Sequence, residues 1–462
     1  LLLLTIFVNS IVFKGHDFNT FIGENMKFLG NEMITIENGN LKIDGHDATE
    51  LAEKYGTPLY VMSETQITKN YTRYMDAFKK YEEKTGKEFI IAFAYKANSN
   101  LAVTRLLSKL GCGADVVSGG ELYTAKLSKV PSEKIVFNGN CKLKEEIIMG
   151  IETNIRAFNV DSISELMLIN ETAKEMGKVA NVAFRINPNV DAKTHPKIST
   201  GLKKNKFGLD VGSGIAMKAI KMATEMENIK IVGVHCHIGS QLTDISPFVE
   251  ETRKVMDFVV ELKKEGIEIE DVNLGGGLGV PYSKDKEIPV QNDLADAIIN
   301  TMLEYEDKVE MPNLILEPGR SIVATAGVLL GKVHHIKETP VAKWVMIDAG
   351  MNDMMRPAIY EAYHEITPCV IREGEKEVLN IAGGLCESSD VFGRDRELTK
   401  VEVNDVLAIL DVGAYGISMA NNYNARGRPG MVLTNEEGVY LIRERETLAD
   451  LVAKDLIPNH LL

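Results

Sequence analysis

At 462 residues the chain is long for one domain and comfortable for two, and its 45% apolar and 26% charged content is ordinary globular composition that argues against long disorder. Its 52 basic and 66 acidic side chains leave a formal charge of −14, which repels phosphate backbones and disfavours a general nucleic-acid role, although a local basic pocket for a small zwitterion is compatible with it. The five cysteines (Cys112, Cys141, Cys236, Cys369 and Cys386) are odd in number, far apart and without a C-x-x-C pair, so a reduced, cytoplasmic protein with neither a disulfide framework nor a zinc ribbon is expected.

Leu1 to Phe13 is apolar apart from Thr5, Asn9 and Ser10. The stretch lacks a basic flank and a small-residue cleavage site, and it is too short to span a bilayer. Met26 precedes a normal domain start, so residues 1–25 are expected to be an over-extended leader outside the fold. No other segment suits a membrane. Residues 26–56 carry short strand candidates and the turn-forming Asn38-Gly39, and are expected to join a β-domain at the other end of the chain.

From residue 57 to 325, β-rich runs alternate with amphipathic helical stretches. The runs are Phe89–Tyr95, Ala114–Val117, Ile135–Asn138, Arg156–Val160, Val179–Ile186, Ile229–Cys236, Asp271–Leu274 and Asn313–Leu316. Helical spacing is clear at Pro247–Glu265 and Leu294–Tyr305. Strand–helix units repeated in this way predict an α/β fold, a (β/α)8 barrel, in preference to an open sheet. In residues 326–462 the texture changes to strands separated by turns: Val328–Ile336, Lys343–Ile347, Val378–Ala382, Val406–Leu410 and Val439–Arg443. A second, mostly β domain, a sandwich or barrel, is expected there.

Lys96, in AYKANSN, stands where the first barrel strand gives out, the place where catalytic side chains emerge. A lysine entering an apolar site is expected to have a depressed pKa suited to Schiff-base chemistry; the plain alternative is a lysine reaching for solvent. Gly275-Gly276-Gly277-Leu278-Gly279 follows the seventh strand. It is neither a Walker loop nor a dinucleotide fingerprint, but barrels commonly bind phosphate after strands seven and eight. Glu317-Pro318-Gly319-Arg320 follows the eighth and offers a carboxylate and a guanidinium. His235 and His237, two apart on the sixth strand, could share a metal, yet no third ligand is apparent. A flat imidazole beside a ring, with Ser240 reaching a phosphate, explains the segment without one. Cys386, beside Glu387, reads on spacing alone as a small buried hydrophobe.

Together these segments, in order with DVVSGGEL (115–122), HPKISTG (195–201), KFG (206–208), DAGMNDMMRPAIYEAYH (348–364), GLCESSD and GAY (413–415), resemble the diaminopimelate decarboxylase family of pyridoxal-phosphate enzymes, within the alanine racemase-like barrel group. The resemblance runs from about Leu41 to Leu448. It implies that Lys96 carries the aldehyde of pyridoxal 5'-phosphate, that His237 stacks on its ring and that Glu317 pairs with the pyridine nitrogen. Ser240, Gly276, Gly277, Gly319, Arg320 and Tyr415 would bind the phosphate, with Asp115 and Arg185 in support. Cys386 would be the proton donor, reaching into the site of the neighbouring subunit of a homodimer and overriding the reading from spacing. A glutamate facing the ring nitrogen, where barrel racemases place an arginine, implies decarboxylation.

Arg320, Arg356, Tyr360, Tyr415 and Glu387 would hold the second amino-carboxylate of meso-diaminopimelate, yielding L-lysine as the last step of its biosynthesis. Ornithine or arginine would leave the arginines unpaired; carboxynorspermidine, which has a carboxylate, is a closer rival. A silent relative, a single-barrel cofactor carrier and a metal-dependent barrel hydrolase are more distant alternatives.

Overall fold

The computed structural model describes residues 30–190, 206–283 and 288–462. The leader and the HPKISTG motif lie outside the described residues.

Eight parallel strands form the larger unit: β1 (Phe89–Ala94), β2 (Gly113–Val116), β3 (Ile135–Phe137), β4 (Ala157–Val160), β5 (Ala180–Asn187), β6 (Ile229–His235), β7 (Asp271–Asn273) and β8 (Asn313–Leu316). Each pairs with the next in chain order, and β8 returns to β1 through Leu314–Phe89, Ile315–Ile90 and Leu316–Ile91, which closes the barrel. Strands covered on both faces need apolar side chains throughout, and β1 (FIIAFA) is buried at every position. The helices outside the barrel show the expected caps. Ser118 and Ser162, for example, each accept a backbone N–H from the residue three further on.

Alternate residues of a strand share a face, and this organises the barrel interior into two layers. Ile90, Ala92, Val136 and Ile315 pack in one buried cluster, and Ala157, Ala183 and Val232 in another. Two positions further along the same strands stand Asn138, Asn159, Arg185 and Glu317, all buried. The barrel is therefore plugged by small and branched side chains below and lined by polar ones toward the C-terminal ends of its strands.

Two departures from simple strand–helix alternation matter. After β8 the chain makes only one helical turn, Arg320–Val323; the outer position is filled instead by Glu64–Thr85, which precedes β1 and packs beside Gln291–Leu303 and Leu101–Lys109. The strand Leu59–Ser63, expected within the barrel that begins at residue 57, belongs to the second sheet, antiparallel to Gly327–Glu338 and parallel to Gly430–Asn435. Its five residues are all buried, so nothing in their pattern distinguishes it from a barrel strand.

The second sheet runs in the order Val391–Thr399, Lys376–Ala382, Lys343–Ile347, Gly327–Glu338, Leu59–Ser63, Gly430–Asn435 and Gly438–Arg443. Val406–Leu410 branches off Gly327–Glu338 and pairs with Ile366–Pro368. The N-terminal strands Ile34–Glu37, Asn40–Ile43 and His46–Asp47 form a separate small sheet, whose first turn places Asn38 and Gly39 at positive φ as the Asn-Gly pair predicts. That sheet does not extend the larger one. It packs Ile34, Leu41 and Ile43 onto Leu59, Val328, Leu330, Ala408 and Val432.

Candidate active site

The polar layer converges on Lys96, at the 3-10 turn that ends β1. Lys96 Nζ lies 3.2 Å from Asp115 Oδ2, and Asp115 is fully buried on β2. Asn138 spends its amide on two carboxylates at once, donating to Asp115 Oδ1 and to Glu317 Oε1 at 2.7 Å each. Asn273 also donates to Glu317 Oε1, at 2.8 Å, and His235 Nε2 lies 3.2 Å from Glu317 Oε2. Asn159 steadies the arrangement by donating to Asn138 Oδ1 at 2.9 Å.

These neighbours set the charges. Burial works to lower the pKa of Lys96, but Asp115, Tyr415 and Glu317 outweigh it and hold the ammonium above its ordinary range. The depressed lysine expected from an apolar surrounding is thus corrected: the strand end is polar, and its carboxylates reverse the sign. Burial also opposes the charge on Glu317, yet His235, Lys96 and Asn138 bring its pKa below the usual carboxylate range. Burial and the nearby Glu317 charge push Asp115 the other way, upward. His237 is driven well down by burial and by the positive charges of Lys96 and Arg185, so its imidazole is neutral; Nδ1 accepts the Gly276 N–H at 3.3 Å.

Two cavities meet at Lys96 and His237. One, of about 410 Å³, is lined by Arg185, Asn138, His235 and Glu317, with the Arg185 guanidinium stacked 4.5 Å from the Phe207 ring. The other, of about 330 Å³, is lined by Ser240, Tyr282, Arg320, Arg356, Tyr360 and Tyr415. Gly276 lies at the seam between the β7 and β8 loops, where a Cβ would run into the Glu317 carbonyl oxygen. Gly277 has φ +131°, and a Cβ there would stand 2.7 Å from the Gly239 oxygen. Gly319 begins the single helical turn after β8 against Ala94 and Ala97, where an added Cβ would be 3.0 Å from each methyl. Tyr415, held at φ 56° with its N–H on Ala97 O at 2.8 Å, stands with its ring 5.0 Å from the Arg320 guanidinium carbon.

Thirteen of the residues singled out in the sequence thus gather around these cavities: Lys96, Asp115, Arg185, His237, Ser240, Gly276, Gly277, Glu317, Gly319, Arg320, Arg356, Tyr360 and Tyr415. Cys386 and Glu387 do not join them. They lie exposed on the turn between Lys376–Ala382 and Val391–Thr399, with the Cys386 N–H donating to Asn424 Oδ1 at 2.8 Å. The buried-hydrophobe reading of Cys386 is therefore wrong.

Asn138, Asn273, Tyr282 and His364 were not anticipated as parts of the site. Only the AYH ending of the long C-terminal motif hinted at His364. Among the described residues no group of three or more His, Cys, Asp or Glu is arranged to hold a metal.

The donor set fits pyridoxal phosphate. Arg320 and Arg356 are both buried, and among the described residues neither has a carboxylate within ion-pairing distance. Two unpaired guanidinium groups facing one cavity call for anionic ligands there. A lysine amine stands beside them, and an ionised Glu317 closes the opposite end.

Residues 65–324 match the family described as pyridoxal-dependent decarboxylase, pyridoxal binding domain. A diaminopimelate decarboxylase of Methanocaldococcus jannaschii is 82% identical over 435 residues, 94% of this chain and 99% of the relative. One from Aquifex aeolicus is 42% identical over 426 residues, 92% of this chain and 98% of its own. The crystal structure of the M. jannaschii enzyme in complex with L-lysine superposes with a TM-score of 0.92 at 82% identity, covering 94% of this chain and all of that one. By sequence, by barrel and by the residues gathered at Lys96, the chain belongs to the diaminopimelate decarboxylase family of pyridoxal-dependent decarboxylases.

Proposed function

We propose that the protein decarboxylates meso-2,6-diaminopimelate to L-lysine and CO2, the final step of lysine biosynthesis, in the cytoplasm. The observation that carries the substrate reading is the pair of buried guanidinium groups, Arg320 and Arg356, which have no carboxylate within ion-pairing distance among the described residues and line the cavity that Lys96 adjoins. Two such cations suit a substrate carboxylate remote from the reacting carbon. The described residues contain no helix long and apolar enough to cross a membrane.

When bound, pyridoxal phosphate supplies the electron sink for the pair left behind by CO2. Lys96 offers the amine that holds its aldehyde, with Asp115 steering the ammonium from 3.2 Å. Ionised Glu317 favours a protonated ring nitrogen, and the neutral imidazole of His237 presents a flat face to the ring. Ser240, Gly276, Gly277, the Gly319–Arg320 backbone and Tyr415 hold the phosphate, while Arg185 supports the ring. At the distal end Arg356, Arg320, Tyr360 and Tyr415 bind the second amino-carboxylate. Cys386 and Glu387 serve the site of the neighbouring subunit, the thiol delivering a proton to the α-carbon and the carboxylate receiving the distal ammonium. Their exposed loop supports this reading, since side chains meant for another chain cannot be buried in their own. In domain terms, the described part of residues 57–325 supplies the barrel apart from Leu59–Ser63, and the described part of residues 26–56 joins 326–462 on the β side.

The test is incubation of the cofactor-loaded protein with meso-diaminopimelate, L-ornithine, L-arginine and carboxynorspermidine in separate reactions, following CO2 and product. Lysine from diaminopimelate, with little release from the others, is expected. Turnover of another substrate in its place would overturn the distal-site reading, and no CO2 from any would remove the decarboxylase.

A further inference from the structure

Tyr282, just beyond the glycine run on the β7 loop, stands between the two unpaired arginines. Its hydroxyl accepts an N–H from Arg320 Nη1 at 2.8 Å and another from Arg356 Nη1 at 2.8 Å. A phenolic oxygen has two lone pairs and one proton. Both lone pairs are spent on cations, so the O–H is its only remaining hydrogen-bonding capacity, and Tyr282 lines the cavity.

The ring is fixed as well. His364 meets it edge-on at 5.1 Å between centroids, and the Arg356 guanidinium lies 4.7 Å over its centre. His364 is itself committed: Nδ1 faces the Leu410 carbonyl at 2.8 Å, so it carries the proton, and Nε2 accepts from Arg356 Nη1 at 2.9 Å. Arg356 Nη1 thus spends both hydrogens within the protein, one on Tyr282 and one on His364. Among the described residues its Nη2 and Nε make no hydrogen bond, and Arg356 lines the cavity. On the other side Arg320 spends Nε and Nη2 on Ser240 Oγ at 3.3 and 3.1 Å.

We infer that Tyr282 is a specificity-determining positioning residue, which pins Arg320 and Arg356 at a fixed separation and donates its O–H to the carboxylate at the non-reacting end of the substrate. The inference rests on the reading of Arg356 as the distal carboxylate's partner. A donor with no acceptor among the described residues discriminates more sharply than a charge alone, because a ligand lacking the carboxylate leaves both the O–H and the guanidinium without an anionic partner.

Decarboxylation at one end leaves the other amino-carboxylate intact, so L-lysine keeps the group that Tyr282 would recognise and pentane-1,5-diamine lacks it. Equilibrium binding of both to the cofactor-loaded wild type and to Tyr282→Phe separates the possibilities. The variant keeps the ring against His364 and Arg356, and a thermal melt confirms its fold. Its affinity for L-lysine is expected to fall about tenfold, equivalent to about 1.4 kcal/mol, with binding of the diamine unchanged. With diaminopimelate, KM should rise by a similar factor while kcat changes little. Equal losses for both ligands, or no loss for L-lysine, would reduce Tyr282 to packing and overturn the inference alone. A wild type with no preference for L-lysine over the diamine would remove the carboxylate reading of Arg356 and this inference with it. Should Tyr282→Phe not fold, Tyr282→Trp keeps an aromatic against His364 and is held to the same two-ligand comparison.

Discussion

Lys96 and Glu317 sit in one hydrogen-bonded group but answer to opposite needs, an amine kept cationic and a carboxylate kept anionic. Lys96→Ala should abolish covalent cofactor attachment, read from the absorbance of the bound cofactor, together with all turnover. Glu317→Gln is a subtler change. Glu317 Oε1 accepts from both Asn138 and Asn273, and Oε2 faces His235, so an amide NH2 in either position meets a donor or loses the charge that the surroundings are built to hold. The cofactor should remain covalently attached while kcat falls by about a hundredfold or more, the usual scale for removing one electrostatic partner from a water-excluded site; a kcat within threefold of wild type would show that Glu317 is only structural. Lys96, Glu317 and the glycine run were legible in the sequence because each stands at a strand end, which apolar periodicity locates. Asn138 and His235 as partners of Glu317 were not. They are 179 and 82 positions away from it, and only closure of the barrel brings them together. The sign of the Lys96 shift was missed for the same reason, since it depends on Asp115 and Glu317 arriving from other strands.

The helix Ser246–Lys264, which follows β6, buries an apolar face that includes Phe248, Val255, Met256, Val259 and Leu262. In the same buried face stands Glu251, opposite Cys236 at the end of β6, with no cation paired to it among the described residues. Burial raises its pKa from an ordinary 4.5 to about 8, the Cys236 thiol working weakly the other way. The folded protein therefore binds this proton more tightly than the unfolded chain does. Stability from this group is fully present below pH 4.5, declines as the pH rises toward 8 and is flat above it. Glu251→Gln removes the titration, so between pH 5 and pH 8 the melting temperature of wild type should drop by more than that of the variant. Parallel curves for the two proteins would mean that Glu251 is solvated or paired in solution. Helical spacing made this element legible, including its length to within a residue. The carboxyl on its buried face was not, because a glutamate in an amphipathic pattern is ordinarily assigned to the solvent side. Strand identity in the second sheet was harder still. Val391–Thr399 carries Arg394, Asp395, Arg396 and Glu397 on an edge, and Leu59–Ser63 reads as any buried strand, so neither pattern reports which sheet it joins.

At the scale of the whole molecule, one chain assembles a cofactor pocket and a distal pocket, yet leaves Cys386 and Glu387 on an exposed turn. If those residues complete the site of a second copy, each active site needs Lys96 from one chain and Cys386 from the other. Lys96→Ala and Cys386→Ala homodimers are then both inactive, for different reasons. Mixed and allowed to exchange subunits at random, equal amounts give about half heterodimers. In each heterodimer one site carries both lesions and the other carries neither, so about a quarter of all sites are intact. Activity should rise from near zero to about a quarter of that of the same amount of wild type, and it should appear only after exchange. A site built within a single chain predicts no recovery at any ratio, because every chain in the mixture lacks one of its two groups. The time course adds a second constraint. Recovery that follows the rate of subunit exchange, measured independently with labelled chains, ties the restored sites to heterodimers, whereas an immediate and constant background would point to residual activity in one parent. The exposed position of Cys386 then has a physical reason: on its own chain the loop has nothing to protonate, and burial there would not place the thiol near a substrate.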